Sequence, residues 1–301
     1  MSLKVVIMRL SFRPFTYFYL RVYSCLIVSL FMVSNIFFFW LIIEFLLLLL
    51  MGVSYSILAG RFSSLILFFL IQAFSSMGLL VFYLLNFPLL FTAFFLFKLS
   101  MFPFHFWVLS VSYRMPNLLL FLTSTLNKLP VFLIIFTFDL NLYSPLLWLS
   151  IVLSLFISGS SMIWTSDLRL LVISSSIGNN SWFSLCCLYS FRVFFIFFSF
   201  YCLLLLFLFV SLKSLMNLSL NFTNRFRLIN CLLLFMSGLP PFPMFFLKIF
   251  VLFLVFRLIM FSYPLLLFIL MSSLIVMGYV NYMFKVFIYQ IRTPSLLTLS
   301  L

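Results

Sequence analysis

Four ionisable residues stand inside long apolar stretches of the sequence. Glu44 lies in FFFWLIIEFLLLLL, Lys98 in TAFFLFKLSMFPFHFW and Lys128 in FLTSTLNKLPVFLII, and Lys248 follows the double proline of SGLPPFPMFFLKIF. A charge at the centre of a bilayer costs about 2.5–3.5 kcal/mol on insertion scales, so such residues are rare unless they face a bundle interior or a hydrated path. Three lysines and one carboxylate cannot all be neutralised as simple pairs.

These side chains have the chemistry of a proton path. Burial penalises the charged form of a lysine and a neighbouring carboxylate favours it, so a buried lysine can take up and release a proton near neutral pH. The alternative is that some of them snorkel to an interface, which fits Lys248 if its helix ends early. His105, the single histidine, titrates nearest neutrality and can relay protons, or it is an interfacial residue beside Trp107.

Each buried lysine has prolines close to it in the sequence: Pro103 after Lys98, Pro130 after Lys128, and Pro240, Pro241 and Pro243 before Lys248. A proline removes one helix hydrogen bond and frees a carbonyl, which produces either an ordinary kink or a break. Broken helices at membrane depth are tolerated where they are buried in protein or line water. The prolines therefore favour a polar path near the lysines.

The elements that must position these residues are membrane-spanning helices. Of 301 residues, 67% are apolar and only 7% are charged, whereas a soluble domain carries roughly a quarter charged residues. Stretches of about 20 apolar residues, the length of a spanning helix, recur along the chain. The net charge of +14 does not indicate nucleic-acid binding, because the basic residues are scattered singly between apolar segments.

The sequence predicts an all-α, polytopic membrane bundle of about ten spans. The spans are predicted near Phe15–Val33, Ile36–Leu58, Ser63–Leu85, Pro88–Trp107, Leu118–Phe138, Pro145–Trp164, Leu168–Leu188, Val193–Leu212, Leu228–Phe256 and Pro264–Phe284. They form a single membrane domain, 1–301, with a basic N-terminal tail at 1–14, spans within 15–284 and a C-terminal tail at 285–301. The basic start also fits a transit peptide.

Ten spans give the basic residues a consistent sidedness. The side that holds the N-terminus collects 12 of the 17 basic residues: Lys4, Arg9, Arg13, Arg21, Arg61, Arg114, Arg169, Lys213, Arg225, Arg227, Lys285 and Arg292. Arg192 and Arg257 fall on the other side, and the three remaining lysines lie within spans. Because basic loops stay on the non-translocated side, both termini are predicted on that side.

Several motifs of the chain resemble subunit 2 of NADH:ubiquinone oxidoreductase, respiratory complex I. They are FKLSMFPFHFW, LTSTLNKLP, SSSIGNNSW after DLR, SGLPPFPMFFLK and FFLIQAFSS, and the resemblance runs from Ile36 to Phe256. This subunit belongs to the antiporter-like family that also includes subunits 4 and 5. A lysine after the GLPP segment is similar to subunit 2, whereas subunit 4 carries a glutamate there.

The resemblance implies a role for each ionisable residue. Glu44 and Lys98 would be the coupling pair, Lys128 the central relay lysine, and Lys248 the terminal lysine facing the exit path or a neighbouring subunit. Lys98 and Lys248 would lie on two discontinuous helices. Three features depart from the family: Asn179 stands where a histidine is usual, Leu170 replaces a basic residue after Arg169, and the family's last helix has no counterpart before Leu301.

The function implied is proton translocation across the mitochondrial inner membrane by a core membrane-arm subunit, with NADH oxidised and ubiquinone reduced elsewhere in the complex. The partners implied are neighbouring antiporter-like subunits, the small core membrane subunits and the lipid bilayer. The sequence has no GxGxxG fingerprint, phosphate loop or CxxC pair, so flavin, iron–sulfur clusters and quinone are expected in other subunits.

Two other functions, and the genome that encodes the chain, remain open at this point. A free-standing cation/proton antiporter of the same broad family is the second reading, and a purely structural or assembly membrane protein is the third. The third would not need four ionisable groups at bilayer depth. Phe occurs 48 times and Ala only at Ala59, Ala73 and Ala93, a bias expected of a thymine-rich organelle genome. It suggests mitochondrial coding.

Overall fold

The structure of the protein is a computed structural model that describes residues 18–19, 21–58, 63–138, 144–216, 222–240, 242–259 and 262–292. Every regular element in these ranges is helical. The first helix, α1, covers residues 21–29 and tightens into a 3-10 turn at Leu30–Met32. The helices that follow are α2 Ile36–Leu58, α3 Ser63–Leu84, α4 Pro88–Leu99, α5 Phe106–Ser112, α6 Asn117–Ser124, α7 Leu129–Phe138, α8 Ser144–Trp164, α9 Leu168–Tyr189, α10 Phe191–Met216, α11 Phe222–Ser237, α12 Pro243–Ile259 and α13 Ser262–Arg292.

Three predicted spans are each divided into two shorter helices. The span around Lys98 is divided between α4 and α5, and the span around Lys128 between α6 and α7. The span that contains Lys248 is divided between α11 and α12, and the break precedes the lysine. Prolines mark where several of these short helices begin, since Pro88 and Pro243 are first residues and Pro130 is a second residue. A proline in the first turn removes no helix hydrogen bond, so it fixes the start of a helix without disturbing its interior.

Within the part of the chain that the structure describes, six helical segments are long and apolar enough to cross a membrane: Ile36–Ser54, Ser63–Leu84, Asn117–Phe138, Pro145–Trp164, Phe191–Leu212 and Leu267–Lys285. Two of the other predicted spans are the divided ones at α4–α5 and α11–α12, and a third corresponds to the shorter apolar helix at Arg21–Met32. The fourth, α9, is long enough, but its serines and asparagines lower its hydropathy. The described helices thus form a membrane helical bundle with six candidate spans, and the number ten stays a prediction.

Several predicted features lie outside the described residues. They include the basic tail at 1–14, Arg61, and the part of the C-terminal tail beyond Arg292. Within the described residues, α13 continues past Phe284 and ends at Arg292.

The chain divides into two compact units, and the first comprises Met1–Ser100 and Phe106–Leu147. Its core lies where α2, α3 and α6 meet, and includes the buried side chains of Leu47, Leu50, Phe68, Met115 and Leu119. Exposed Phe and Leu side chains cover the outer faces of the same helices, as expected of a surface solvated by lipid. The polar residues buried in this unit therefore stand out, because they interrupt an otherwise apolar interior.

The second unit comprises Met101–His105 and Trp148–Leu301. Phe183 on α9 contacts four aromatic rings of α10, those of Phe194, Phe197, Phe198 and Tyr201, at centroid distances of 5.1–6.1 Å. Close approach of α8 and α13 requires Gly278, since a Cβ there would lie 2.5 Å from Cβ of Met162. Small residues at such crossings let membrane helices pack backbone against backbone.

Candidate functional site

In the first unit, Glu44 on α2 is held by a hydroxyl of the neighbouring helix α3. Ser76 Oγ donates a hydrogen bond to Oε1 of Glu44 and lies 2.9 Å from the carbonyl of Ala73 in its own helix. Ser76 is buried, whereas Glu44 is half-buried. A cleft otherwise lined by apolar side chains, including Trp40, Ile43 and Phe91, opens beside this hydroxyl. The carboxylate is thus held between α2 and α3 by a hydroxyl that lines the cleft.

Lys98 lies in the last turn of the short helix α4. Ser100 ends this helix in the left-handed conformation, with φ of 59°, and its backbone N–H donates to the carbonyls of Leu96 and Phe97. The carbonyl of Lys98 accepts a hydrogen bond of 3.4 Å from Nε2 of Gln72 on α3. A helix ending inside a membrane leaves carbonyls that need such donors. Gln72 therefore stabilises the break beside Lys98.

The same helix end accepts a second side-chain donor. Nε1 of Trp107 on α5 lies 3.3 Å from the carbonyl of Phe97, which Ser100 also contacts. The C-terminal end of a helix carries a partial negative charge that favours a nearby cation. Lys98 is the basic residue in this last turn.

The side chain of Lys98 is only 5% exposed, and among the described residues its Nζ has no hydrogen-bond partner. Glu44 is close enough to act on it electrostatically. Gln72 and Ser76 lie four residues apart on α3, so they share one helix face. That face contacts the backbone of Lys98 through Gln72 and the carboxylate of Glu44 through Ser76, and so brings both ends of the predicted coupling pair to α3.

Lys128 closes the turn between α6 and α7. Its backbone N–H donates to the carbonyl of Thr125 at 2.9 Å, and its carbonyl accepts from the N–H groups of Val131 and Phe132 at 3.1 and 3.2 Å. The side chain is 8% exposed. Thr125 is fully buried, and its hydroxyl donates to the carbonyl of Phe121 at 2.7 Å. The turn is thus held by main-chain bonds and by a local hydroxyl.

Aromatic packing relates the Lys98 helix to the Lys128 helix within the first unit. The ring of Phe95 on α4 contacts the ring of Phe132 on α7 edge-on, with centroids 6.3 Å apart. Phe95 lies one turn before Lys98, and Phe132 lies one turn after Lys128. Both rings are fully buried. The two interrupted spans therefore pack against each other close to their lysines.

In the second unit, Lys248 on α12 reaches the C-terminal end of α11. Its Nζ lies 3.5 Å from the carbonyl of Ser237, the last residue of α11, and 5.9 Å from the centroid of the Trp182 ring on α9. Lys248 is 6% exposed and Trp182 is fully buried. The ammonium is thus held inside the unit by a helix terminus and a cation–π contact, rather than reaching an interface.

Gly238 makes the room for this ammonium. It follows α11 with φ of +77°, and a Cβ at this residue would lie 2.9 Å from Nζ of Lys248. We expect Gly238→Ala to destabilise the chain by about 1–2 kcal/mol, the usual cost of the left-handed conformation for an L-residue. It should also push the ammonium away from Ser237. The unfolding temperature of the chain in detergent, compared between the variant and the wild type, measures the effect.

The control for that prediction is Gly52→Ala. Gly52 lies inside α2, and the nearest atom to a new Cβ would be 3.2 Å away on the Tyr19 ring. Alanine is favoured over glycine in a helix interior by up to about 1 kcal/mol, and the Tyr19 ring must shift by a few tenths of an ångström to admit the methyl. The two effects oppose each other, so the unfolding temperature should stay close to that of the wild type. An unfolding temperature for Gly238→Ala that matches the Gly52→Ala value would contradict the role given to Gly238.

His105 belongs to the second unit and lies between α4 and α5 in the sequence. Its side chain is buried, and its ring stacks on Phe102 with centroids 6.4 Å apart. It is therefore an interior residue of that unit in this structure.

Arg169 lies in the first turn of α9 and is half-buried, and Asn179 is buried in the middle of the same helix.

Four residues of these sites were not identified as functional from the sequence: Gln72, Ser76, Trp182 and Gly238. Gln72 and Ser76 were visible only as part of the FFLIQAFSS motif, although their spacing of four residues within an apolar helix indicates a common polar face. Among the described residues, no group of three His, Cys, Asp or Glu side chains could hold a metal ion. The three buried lysine amines and the Glu44 carboxylate offer proton binding.

Neither a protein-family model nor a curated protein sequence matches the chain. The structure is similar to a chain of respiratory complex I from Thermus thermophilus, solved with bound aureothin, with a TM-score of 0.66 and 17% sequence identity. The alignment covers 81% of this chain, which spans only 64% of the length of that chain.

At that identity the likeness establishes the fold. Over its described residues, the protein is an all-helical membrane bundle with buried lysines at interrupted helices. Its fold is shared with a chain of respiratory complex I.

Proposed function

We propose that the chain is a proton-translocating membrane subunit of respiratory complex I, of the kind represented by subunit 2 of the mitochondrial enzyme. In this proposal Glu44, Lys98, Lys128, Lys248 and His105 carry the proton path, while NADH is oxidised and ubiquinone reduced in other subunits. The complex is an NADH:ubiquinone reductase, and this chain contributes proton movement without a redox cofactor of its own.

One observation carries the proposal. Each of the three buried lysines lies at an interruption of a helix, and all three are less than 9% exposed. An interrupted helix offers backbone carbonyls and N–H groups at membrane depth, which is tolerated where the backbone is enclosed by protein or lines water. A lysine that only anchored a helix at the lipid interface would instead reach out of the protein.

The arrangement in each unit suggests how the lysines differ. In the first unit, Glu44 acts electrostatically on Lys98, so a change at Glu44 is felt at Lys98. Lys128 belongs to the adjacent interrupted span and would pass the proton on. In the second unit, Lys248 has no carboxylate against it among its described contacts, which are the Ser237 carbonyl and the Trp182 ring. Such a group suits the release end of a path.

The proposal extends to location and partners. The protein would lie in the mitochondrial inner membrane, as its Phe-rich, Ala-poor composition suggests. Both termini would lie in the matrix, as the 12-to-2 distribution of basic residues between the two sides suggests. Its partners would be neighbouring antiporter-like subunits and the small core membrane subunits. The similarity in fold to a complex I chain supports this assembly over an isolated protein.

Purification in mild detergent tests the assembly. We expect the affinity-tagged chain to elute in one peak with NADH–quinone reductase activity, flavin absorbance and iron–sulfur signals. Washing at high salt should not separate them, because the exposed faces of the helices are apolar.

A second outcome would favour the free-standing antiporter. In that case the chain would elute without flavin or iron–sulfur signals, and vesicles containing it alone would exchange cations for protons across an imposed pH gradient. Elution alone without any ion exchange would contradict both functions.

A further inference from the structure

A line of aromatic rings in the second unit leads to Lys248. The Trp182 ring on α9 lies 6.2 Å from the Phe268 ring on α13, and the Phe268 ring lies 6.0 Å from the Trp148 ring on α8, measured between centroids. Trp182 and Phe268 are fully buried. We call Trp182, Phe268 and Trp148 the aromatic array. It connects three helices to the place where Nζ of Lys248 lies 5.9 Å from the centroid of the Trp182 ring.

The aromatic array fixes the position of the Trp182 ring. Aromatic rings attract each other in tilted and edge-on arrangements when their centroids are about 4.5–7 Å apart. Both contacts of Phe268 are of this kind, with interplanar angles of 59° to Trp148 and 52° to Trp182. Because protein interiors are close-packed, a fully buried ring in such a contact has little room to turn. The face of Trp182 is thus held toward the lysine by residues of two other helices.

The indole N–H of Trp182 does not contribute to this arrangement. Its Nε1 is buried and has no hydrogen-bond partner among the described residues. A buried donor without a partner destabilises a fold, and a phenylalanine ring would carry no such donor. What the indole offers here is the size of its ring and its face, and tryptophan attracts a cation more strongly than phenylalanine does.

The ammonium of Lys248 has two described contacts that attract a cation. The first is the carbonyl of Ser237 at the negative end of α11, 3.5 Å from Nζ. Hydrogen bonds from charged donors are usually about 2.7–2.9 Å long, so this carbonyl alone holds the ammonium weakly. The second is the Trp182 ring, whose distance lies within the range of about 6 Å for a cation–π contact. The ring therefore contributes to the position of the ammonium.

We infer that Trp182 is a positioning residue for Lys248, and that the aromatic array holds its ring so that the ammonium stays at the end of α11. The inference rests on the proposed function, since it names a residue that positions a lysine of the same path. Phe268 and Trp148 act through Trp182, and they thereby connect α13 and α8 to the lysine of α12.

Replacing Trp182 removes the ring face and leaves the lysine in place. In the native assembly reconstituted into vesicles, we expect Trp182→Leu to slow proton transfer through this unit by roughly tenfold, because the positioned ammonium becomes less populated. That factor corresponds to about 1.4 kcal/mol, within the range of a desolvated cation–π contact. Trp182→Phe keeps a weaker ring face and should recover part of the loss. Protons moved per NADH oxidised measure both variants.

Phe183→Leu is the matched control. Phe183 is the next residue of α9 and is also fully buried, but its ring packs against four rings of α10. The substitution therefore removes an aromatic ring from the same helix and leaves a void in the same unit. An equal loss of proton movement in Phe183→Leu and Trp182→Leu would make Trp182 a packing residue and overturn the inference.

A fluorine signal tests the contact itself, independently of proton movement. The full chain has five tryptophans, so labelling it with 5-fluorotryptophan gives five fluorine signals in detergent. The signal that is lost in Trp182→Phe belongs to Trp182. We expect that signal to move in Lys248→Met, which removes the ammonium from the ring face, and to stay in place in Lys285→Met, which changes an exposed lysine of α13. A Trp182 signal that stays in place in Lys248→Met would overturn the inference.

Proton movement in Lys248→Met separates this inference from the proposed function. Lowered movement in Lys248→Met with unchanged movement in Trp182→Leu would overturn the positioning role and leave the lysine path in place. Unchanged movement in both variants would overturn the lysine role and the positioning role together. Lowered movement in both, with partial recovery in Trp182→Phe and little change in Phe183→Leu, supports the positioning role. If Trp182→Leu assembles poorly, the fluorine signal in Lys248→Met decides.

Discussion

Replacing Glu44 by glutamine is expected to remove most of the proton translocation that depends on the first unit. The glutamine oxygen can still accept the hydroxyl of Ser76, so the contact between α2 and α3 is kept. The negative charge that acts on Lys98 is lost. A nearby negative charge favours the ammonium form of a buried lysine, so its loss favours the neutral form. Lys98 would then take up a proton less readily.

The expected size is a slowing of proton transfer by roughly 10²–10⁴-fold at this step, the usual contribution of a positioned proton-transfer group. Protons moved per NADH oxidised, measured in vesicles with a pH-sensitive dye, record it. Ser76→Ala should give a smaller loss, because it removes one bond to the carboxylate but no charge. Ser75→Ala is the control, since its hydroxyl donates to the carbonyl of Gln72 in its own helix. An unchanged proton ratio in Glu44→Gln would reject the coupling role.

The helices were largely predictable from local composition. The predicted span at Ile36–Leu58 has the bounds of α2, and the predicted start at Leu168 is the first residue of α9. Both depend on the length of an apolar stretch and on the polar residues that flank it, which are local properties. The membrane bundle follows from the same properties, and the similarity in fold to a complex I chain supports it.

The interruptions were predictable in part. Two discontinuous helices were expected from the resemblance, at Lys98 and Lys248, and the structure divides the spans at both places. A third division, between α6 and α7, was not expected as a discontinuous helix. Pro130 indicated an irregularity but not its place. Proline is tolerated at the second residue of α7, so the break lies in the residues that precede the helix.

The contacts between helices could not be read from the sequence. Ser76 and Glu44 are 32 residues apart, and Lys248 and Ser237 are 11 residues apart across a break. Which side chains meet depends on helix rotation and packing, and apolar helices with exposed lipid-facing sides carry little information about rotation. Polar residues on one face of α3 and α9 were the available signal, since burying them without partners is costly.

The ends of the short helices distinguish the three lysines. Lys98 lies in the last turn of α4, and Nζ of Lys248 lies at the last carbonyl of α11, so the backbone of the first and the ammonium of the second lie at a negative helix end. Lys128 differs, because it lies in a turn between the C-terminal end of α6 and the first residue of α7. The negative end of one helix and the positive start of the next both lie beside it. The charged form of Lys128 therefore depends on its polar neighbours and on water.

Substitution of Lys128 should consequently have a large effect on proton movement and a small one on the fold. The turn at residues 125–128 is held by main-chain bonds, so Lys128→Met and Lys128→Arg both leave it intact. Methionine has a similar length, and it removes the desolvation cost of a buried charge. Arginine keeps the charge but stays protonated, so it cannot alternate between charged and neutral forms. Both variants should assemble, and both should slow proton transfer by roughly 10²–10⁴-fold at this step.

Vesicle acidification per NADH oxidised measures the loss, and the amount of assembled protein measures stability. Lys285→Met is the matched control, because Lys285 is an exposed lysine on α13 and its removal should leave acidification unchanged. If Lys128→Arg pumps normally while Lys128→Met does not, a fixed positive charge is sufficient and the residue is a structural cation. If both variants acidify the vesicles fully at an unchanged rate of NADH oxidation, Lys128 carries no proton. Loss of acidification in both Lys128 variants, with Lys285→Met unaffected, would show that proton transfer at the turn between α6 and α7 requires a lysine that alternates between its charged and neutral forms.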